Sequence, residues 1–363
     1  MNYLNIFSNC QLVRGATMSL ICDLQLRKYY HVPNDMADVL DFLSARSIEE
    51  CYEEYGKGNK SIIKSYLNFI LKNDMGFIDE QLISEMTPLS LEWDAYSDIT
   101  NVIIEVSPTM VYDTSFLTEL IDLNLIAVEI RAYEEISYEK LNQVLSLFIH
   151  STALSMKIVL KWAEWCTDKT LLHIMENNLR INMIILHSAP IEETKKIFKD
   201  SAAIVYRKAS LNSCLACGVI HPSYFSTSVE LFTESQLHNT CLNRKLSIDK
   251  DGFIKNCPSM QTNFGQIHQT TLRDVLANPA FKENWLINKD KINVCRDCEF
   301  RHVCTDCRAF TERTHSDANG RDLSKPLKCG YDPYLNRWED WTRNPLKSSA
   351  ISYYNMEDLI NEA

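Results

Sequence analysis

Residues 295–307 read CRDCEFRHVCTDC, four cysteines with two C-x2-C gaps and neither proline nor glycine among them. Thiols three apart on a loop can converge on one metal or one cluster, whereas cysteines that only fill a core have no reason to recur at that spacing. Outward from this run, Cys329 follows, and Cys241 and Cys257 precede it, with Gly252 between those two. A further C-x2-C lies upstream at Cys214 and Cys217. Seven thiols plus Cys214 or Cys217 make the eight that two iron-sulfur clusters with four cysteine ligands each require. Zinc is the alternative, but the gap between the two central knuckles is far shorter than the about 15–20 residues usual in zinc ribbons. A single zinc also strands Cys241, Cys257 and Cys329.

The other cysteines, Cys10, Cys22, Cys51 and Cys166, are scattered singly and read as buried, mildly hydrophobic thiols. A chain of 363 residues with 45% hydrophobic and 23% charged residues is of globular composition and long enough for two or three domains. The formal net charge of −11 argues against a nucleic-acid partner and against a DNA-binding regulator. No basic segment followed by an apolar stretch opens the sequence, and no apolar run approaches the about 20 residues of a membrane span. The expectation is a soluble, cytoplasmic protein with no membrane contact.

Three regions separate by pattern. Up to residue 95, MSLICDL and KYYHVP flank QLR as a hairpin, and helices are expected from Asn34, from Ser47 with Glu50 in a capping box, and over NKSIIKSYLNFILKND. Strands followed by three helices suggest a small winged-helix-like domain. Residues 96–210 alternate apolar β-rich runs (NVIIEV, LIAVEIRAY, KIVLKW, NMIILHS, AAIVYR) with amphipathic stretches (TSFLTELIDL, SYEKLNQVLSLFI, IEETKKIFKD), the pattern of parallel βα units. Five such units are too few for a closed eight-stranded barrel, so a partial barrel or open parallel sheet is expected. Residues 211–345 are cysteine-rich, and 346–363 form a tail. In the third region KLSIDKDGFIKNC reads as a hairpin turning at Asp251-Gly252, with Ile248 opposite Phe253 and Arg244 opposite Cys257, which sets Cys241 near Cys257. TLRDVLANPAFKENWL reads as a helix capped by Thr271 with Asp274.

The series C-x10-G-x4-C, then C-x2-C-x5-C-x2-C, then the distant Cys329 resembles the SPASM domain of peptide-modifying radical SAM proteins, which holds two auxiliary 4Fe-4S clusters. The usual pattern has three residues between the last two cysteines of the central group; this chain has two, Thr305 and Asp306. By position, the resemblance implies one cluster on Cys241, Cys257 and Cys307, with Cys214 or Cys217 as candidate fourth ligand, and another on Cys295, Cys298, Cys304 and Cys329. CEFRHVCTDCRAF and KCGYDPYLNRWEDW are similar to the grasp-with-spasm family, SPASM-domain peptide maturases that accompany an ATP-grasp ligase and a short ribosomal precursor peptide. RGATMSLICDLQLRKYYHVPNDMADVL is similar to the start of these proteins and to the PqqD-like peptide-recognition fold. The fold so implied is α/β: a partial (β/α) barrel derived from a radical SAM core, between an N-terminal winged-helix PqqD-like domain and a C-terminal SPASM domain.

The resemblance stops short of a radical SAM centre. No two cysteines are separated by three residues, so the C-x3-C-x2-C motif is absent; SPTMVYDTS follows NVIIEV without a cysteine, and EEISYEK lacks Gly-Gly-Glu. SAM cleavage by this chain is therefore not expected. Hydrolase, zincin and Walker motifs are absent too, and no catalytic residue can be named. His150, His173 and His187 read as core or surface histidines, with His221, His238, His302 and His315 flanking the cysteines. Arg296, Arg301, Arg308 and Arg313 crowd the central group, either as a solvated face or offsetting cluster charge. Tyr331, Tyr334, Trp338 and Trp341 read as packing over the cluster domain. The leading expectation is an iron-sulfur maturase or accessory protein that binds a ribosomal precursor peptide and acts with the ligase. Its rival is a zinc-stapled, non-enzymatic adaptor presenting the precursor to that ligase.

Overall fold

Two short strands that periodicity does not single out open the chain, β1 (Tyr3–Ile6) and β2 (Cys10–Arg14). β2 pairs antiparallel with β3 (Met18–Asp23), which forms the expected hairpin with β4 (Lys28–Pro33), Arg27 turning it at φ 55°. Three helices follow: α1 (Asn34–Leu43), α2 (Ile48–Glu54) and α3 (Lys60–Lys72). The Ser47–Glu50 capping box forms, with Glu50 N donating to Ser47 Oγ at 3.2 Å and Ser47 N to the Glu50 carboxylate at 2.8 Å. β5 (Gly76–Asp79) returns to pair with β1. The computed structural model describes residues 1–83, 88–111 and 114–361, so parts of the first domain, of the loop SPTMVYDTS and of the tail lie outside the described residues.

β3 is buried on nearly its whole length because both faces of its sheet are covered. Ile21 and Val32 face the helices with Met36, Leu40, Leu67 and Ile70. Leu20, Cys22 and Val13 face the C-terminal region, packing with Ile220, Phe300, Val303 and Tyr331.

The central region is an eight-stranded sheet. Its elements run β6 (Asn101–Glu105), α4 (Thr114–Ile121), β7 (Ala127–Ala132), α5 (Tyr138–Leu147), β8 (Ser155–Lys161), α6 (Asp168–Asn177), β9 (Ile181–His187), β10 (Glu193–Ile197) and β11 (Ala202–Tyr206). After α7 (Val229–Leu237), the hairpin of β12 (Lys245–Ile248) and β13 (Ile254–Lys255) joins the same sheet, ahead of α8 (Leu272–Ala277). The strand order is β10-β11-β9-β8-β7-β6-β12-β13, with the interior pairs parallel and both edge strands antiparallel. Alternate residues such as Val102, Ile104, Val128, Ile130, Ile158 and Ile184 build the core against the helices. The result is an open, mostly parallel sheet.

Three expectations are corrected. IEETKKIFKD is not a helix: β10 occupies it and pairs with β11, because an edge strand beside β11 gains a full ladder that helix propensity does not match. Phe198, Lys199 and Asp200 all take positive φ to make that turn. The cysteine-flanked hairpin is shifted by one residue, Ile248 facing Ile254, because the Asp249 carboxylate accepts from the backbone N–H of both Asp251 and Phe253 and widens the loop. TLRDVLANPAFKENWL keeps its Thr271–Asp274 capping box but breaks after Ala277, where Pro279 starts a new turn. No helix among the described residues is long and apolar enough to cross a membrane.

Candidate functional site

β12 pairs with β6, so the hairpin is anchored in the sheet and its open end carries Cys241 just before β12 and Cys257 just after β13. Cys217 and Cys307 arrive from two loops, and the four thiols line one cavity of about 370 Å³ together with Lys157, Tyr224, Ser259, Asp306 and Arg308. Cys257 and Cys307 are buried, Cys241 half-buried and Cys217 exposed. The loop with Cys217 is held tightly: a Cβ on Gly218 (φ 84°) would stand 2.8 Å from Cys307 Sγ. The buried Lys328 ammonium donates to the carbonyls of Leu215 and, at 2.9 Å, of Cys217. Of the upstream pair only Cys217 lines the cavity; Cys214 lies outside it, with Glu105, Lys255 and Ser259 as neighbours.

A second quartet lies in the adjoining loops. Cys295 and Cys298 bracket a tight turn in which Cys298 N donates to Cys295 O at 3.0 Å; Cys304 follows a second turn, and Cys329 is bridged to Ile220. These four thiols line a cavity of about 30 Å³ walled by Phe225, Phe300, Tyr331 and Trp338. Val294, directly before Cys295, sits at φ 67°, a conformation that costs a β-branched residue about 1–3 kcal/mol and that the surrounding contacts must hold. Neither quartet, nor any other group of His, Cys, Asp or Glu among the described residues, is drawn in to the spacing that one metal ion needs. The thiols stand around cavities instead.

Burial pushes the Cys257 and Cys304 thiols up to about 12 and raises Cys295, Cys298 and Cys307 as well. Such thiols give up protons only to a strong positive centre. Cations the sequence did not single out surround them. Lys245 Nζ donates to Cys241 Sγ at 3.5 Å, Lys289 Nζ to Cys304 O at 2.5 Å, and Lys347 Nζ to Cys329 O at 2.7 Å. Between the quartets, in the short gap after Cys304, Asp306 and Arg308 form a buried pair at 2.9 Å, and Asn239 donates to Asp306 at 2.6 Å. Of the four arginines only Arg308 is buried; Arg301 donates to Asp290 and to Arg14 O.

Tyr331 and Trp338 pack on each other and on Phe300, Tyr331 edge-on to it, and Trp341 packs in a neighbouring cluster, whereas Tyr334 is half exposed and donates to Asp297. His302 is buried, shares a 2.9 Å hydrogen bond with Ser235, and is pushed down to about 3 by burial. It lines neither cavity, nor do His221, His238 and His315. His187 is a buried core histidine bonded to Ala132 O. Sequence reasoning also missed Glu299, fully buried beside Cys298, which binds His31 of β4 at 2.7 Å and accepts from the Tyr331 hydroxyl. Gly15 makes this junction possible, since a Cβ there would meet Glu299 at 2.7 Å.

Two quartets of cysteine around cavities have the donor number of two four-cysteine iron-sulfur clusters. Residues 240–299 match the SPASM family, an iron-sulfur cluster-binding domain. The matched stretch covers β12, β13 and the first two cysteines of the central run, so Cys241, Cys257, Cys295 and Cys298 lie within it. Among solved structures, the chain is similar to Streptococcus suis SuiB bound to S-adenosylmethionine (12% identity, TM-score 0.29, covering 85% of this chain and 96% of that one). It is similar also to SuiB bound to precursor peptide SuiA (12%, TM-score 0.28, 84% and 96%). TM-scores this low do not establish a shared architecture. No curated protein matches the chain.

Proposed function

We propose that this chain is an iron-sulfur component of ribosomal peptide modification, holding two 4Fe-4S clusters in its SPASM domain and a precursor peptide on its N-terminal domain. The observation that carries the reading is the division of eight thiols between two cavities. Cys217, Cys241, Cys257 and Cys307 would hold one cluster, and Cys295, Cys298, Cys304 and Cys329 the other. Eight thiols in two sets of four fit two four-cysteine clusters, and the match to an iron-sulfur cluster-binding family favours these over zinc. Clusters of this kind pass single electrons. The protein's part is to bury them, to offset thiolate charge with Lys245, Lys289, Lys328 and Lys347, and to keep water away behind Phe225, Phe300 and Trp338.

For the peptide, β2 offers an edge of the winged-helix-like domain beside a groove of about 440 Å³ lined by Leu4, Ile6, Leu12, Ile21, Leu40 and Ile70. An extended leader added as a strand would find main-chain partners on β2 and room for alternate apolar side chains. That the partner enzyme is an ATP-grasp ligase rests on the sequence resemblance. Fluorescence anisotropy of labelled precursor tests the peptide half: replacing the partly buried Leu12 by Asp should abolish binding while iron content stays whole. Undiminished binding would refute the β2 groove.

A further inference from the structure

One face of the central sheet carries a cluster of charged side chains beside the first thiol cavity. Strand register aligns Ile103, Glu129, Lys157 and Met183 across β6, β7, β8 and β9, so Glu129 and Lys157 are neighbours, with Arg131 on the same face of β7. The Glu129 carboxylate takes Arg131 Nε at 2.6 Å and has Lys157 Nζ at 3.6 Å. Lys245 acts on it as well. Arg131 also faces the buried Glu105, so three cations stand among two carboxylates. Lys245 is already engaged with Cys241, and Arg131 holds the close contact to Glu129. Lys157, whose side chain is 40% exposed, has only the longer 3.6 Å contact with Glu129.

Lys157 also lines the cavity of the first quartet, where Cys217 is exposed and the hydroxyl-bearing Tyr224 and Ser259 contribute to the wall. We propose that this cavity binds a carboxylate of the precursor peptide, with Lys157 as its counter-ion, next to the cluster that the preceding reading places on Cys217. A carboxylate meeting an ammonium and hydroxyl donors makes the strong, charge-assisted kind of hydrogen bond. In a chain of net charge −11, an acidic group is repelled from most of the surface and guided to such a spot. The carboxylate can belong to an acidic side chain or to a peptide C-terminus.

Three probes separate these sources: acetyl-Ala-Ala-Glu-Ala-Ala-amide, the same peptide with Gln for Glu, and the Gln peptide with a free C-terminus. Each is added to the reconstituted full-length protein and followed by saturation transfer from protein to peptide protons, alongside iron analysis. The Glu-amide or the free-acid peptide should give transfer at least several-fold above the Gln-amide, whichever of the two responds naming the source. Lys157→Gln should remove the difference, and Lys157→Glu should reject the acidic peptides outright, both with iron content unchanged. Equal transfer from all three peptides, or a difference that survives Lys157→Gln, overturns the proposal. The readout needs no cluster, so a wild-type protein without iron would sink the cluster reading while leaving the carboxylate comparison decisive. Where iron is present, selective broadening of the bound peptide's protons on reduction places the carboxylate beside the cluster, and its absence counts against that position.

Discussion

The choice between Cys214 and Cys217 turns on a glycine. Their C-x2-C spacing offers either thiol, and nothing in the sequence ranks them. What separates them is the left-handed turn at Gly218, which lays the loop against Cys307 Sγ with no room for a Cβ. If Cys217 is the fourth ligand, Cys217→Ser should lower the iron content by a cluster's worth while Cys214→Ser leaves it whole; the reverse result would reassign the ligand. Gly218→Ala should destabilise the protein by about 1–3 kcal/mol, measured by chemical denaturation, because a side chain at φ 84° is strained and collides with a thiol. The lysines near the thiols were illegible for a different reason. Lys245, Lys289 and Lys328 are far apart in sequence and carry no motif, and only the folded loops bring each to its cavity.

Elements were legible where pairing is local and illegible where it is distant. The β3–β4 hairpin, the two capping boxes, all five apolar runs as parallel strands and two of the three expected intervening helices follow from composition and periodicity. β10 did not, since its fate depends on the free edge of β11, and the β12–β13 hairpin gave no sign that it would extend the central sheet beside β6. The segment between the quartets is the element most exposed to disruption. Arg308→Met would leave Asp306 buried without its partner, at a cost of about 3–5 kcal/mol, whereas the double substitution Asp306→Leu with Arg308→Met should recover most of that. Denaturation curves of the single and double variants check this, and equal losses would argue against the pair. α7 carries a pH-dependent weakness: burial pushes Glu234 up to about 7, above its ordinary value. A raised carboxyl disfavours the folded state as pH climbs from the unfolded value, near 4.5, through 7, and the penalty is constant above. Glu234→Gln should therefore be more stable than the natural chain by about 3 kcal/mol at pH 8, an advantage that fades toward pH 4.5. An advantage independent of pH would contradict the burial argument.

At the scale of the whole molecule, the sequence indicated three regions but not how they meet. The N-terminal sheet is built into the cysteine-rich region: Leu20, Cys22 and Val13 share a core with Phe300 and Cys304, and His31 reaches the buried Glu299. No local signal announces such a face, because β3 reads equally well as an ordinary buried strand. Deleting residues 1–95 should therefore abolish precursor binding and also uncover the apolar wall of the second cavity, lowering iron retention. A deletion variant that keeps both full iron and precursor affinity would show the two regions to be independent. The central claim, two clusters divided between the two cavities, is tested most directly by counting iron, sulfide and zinc in anaerobically purified protein. About eight irons and eight sulfides per chain, falling to about four in Cys257→Ser and in Cys298→Ser, is the predicted result. One or two zincs without sulfide would contradict it.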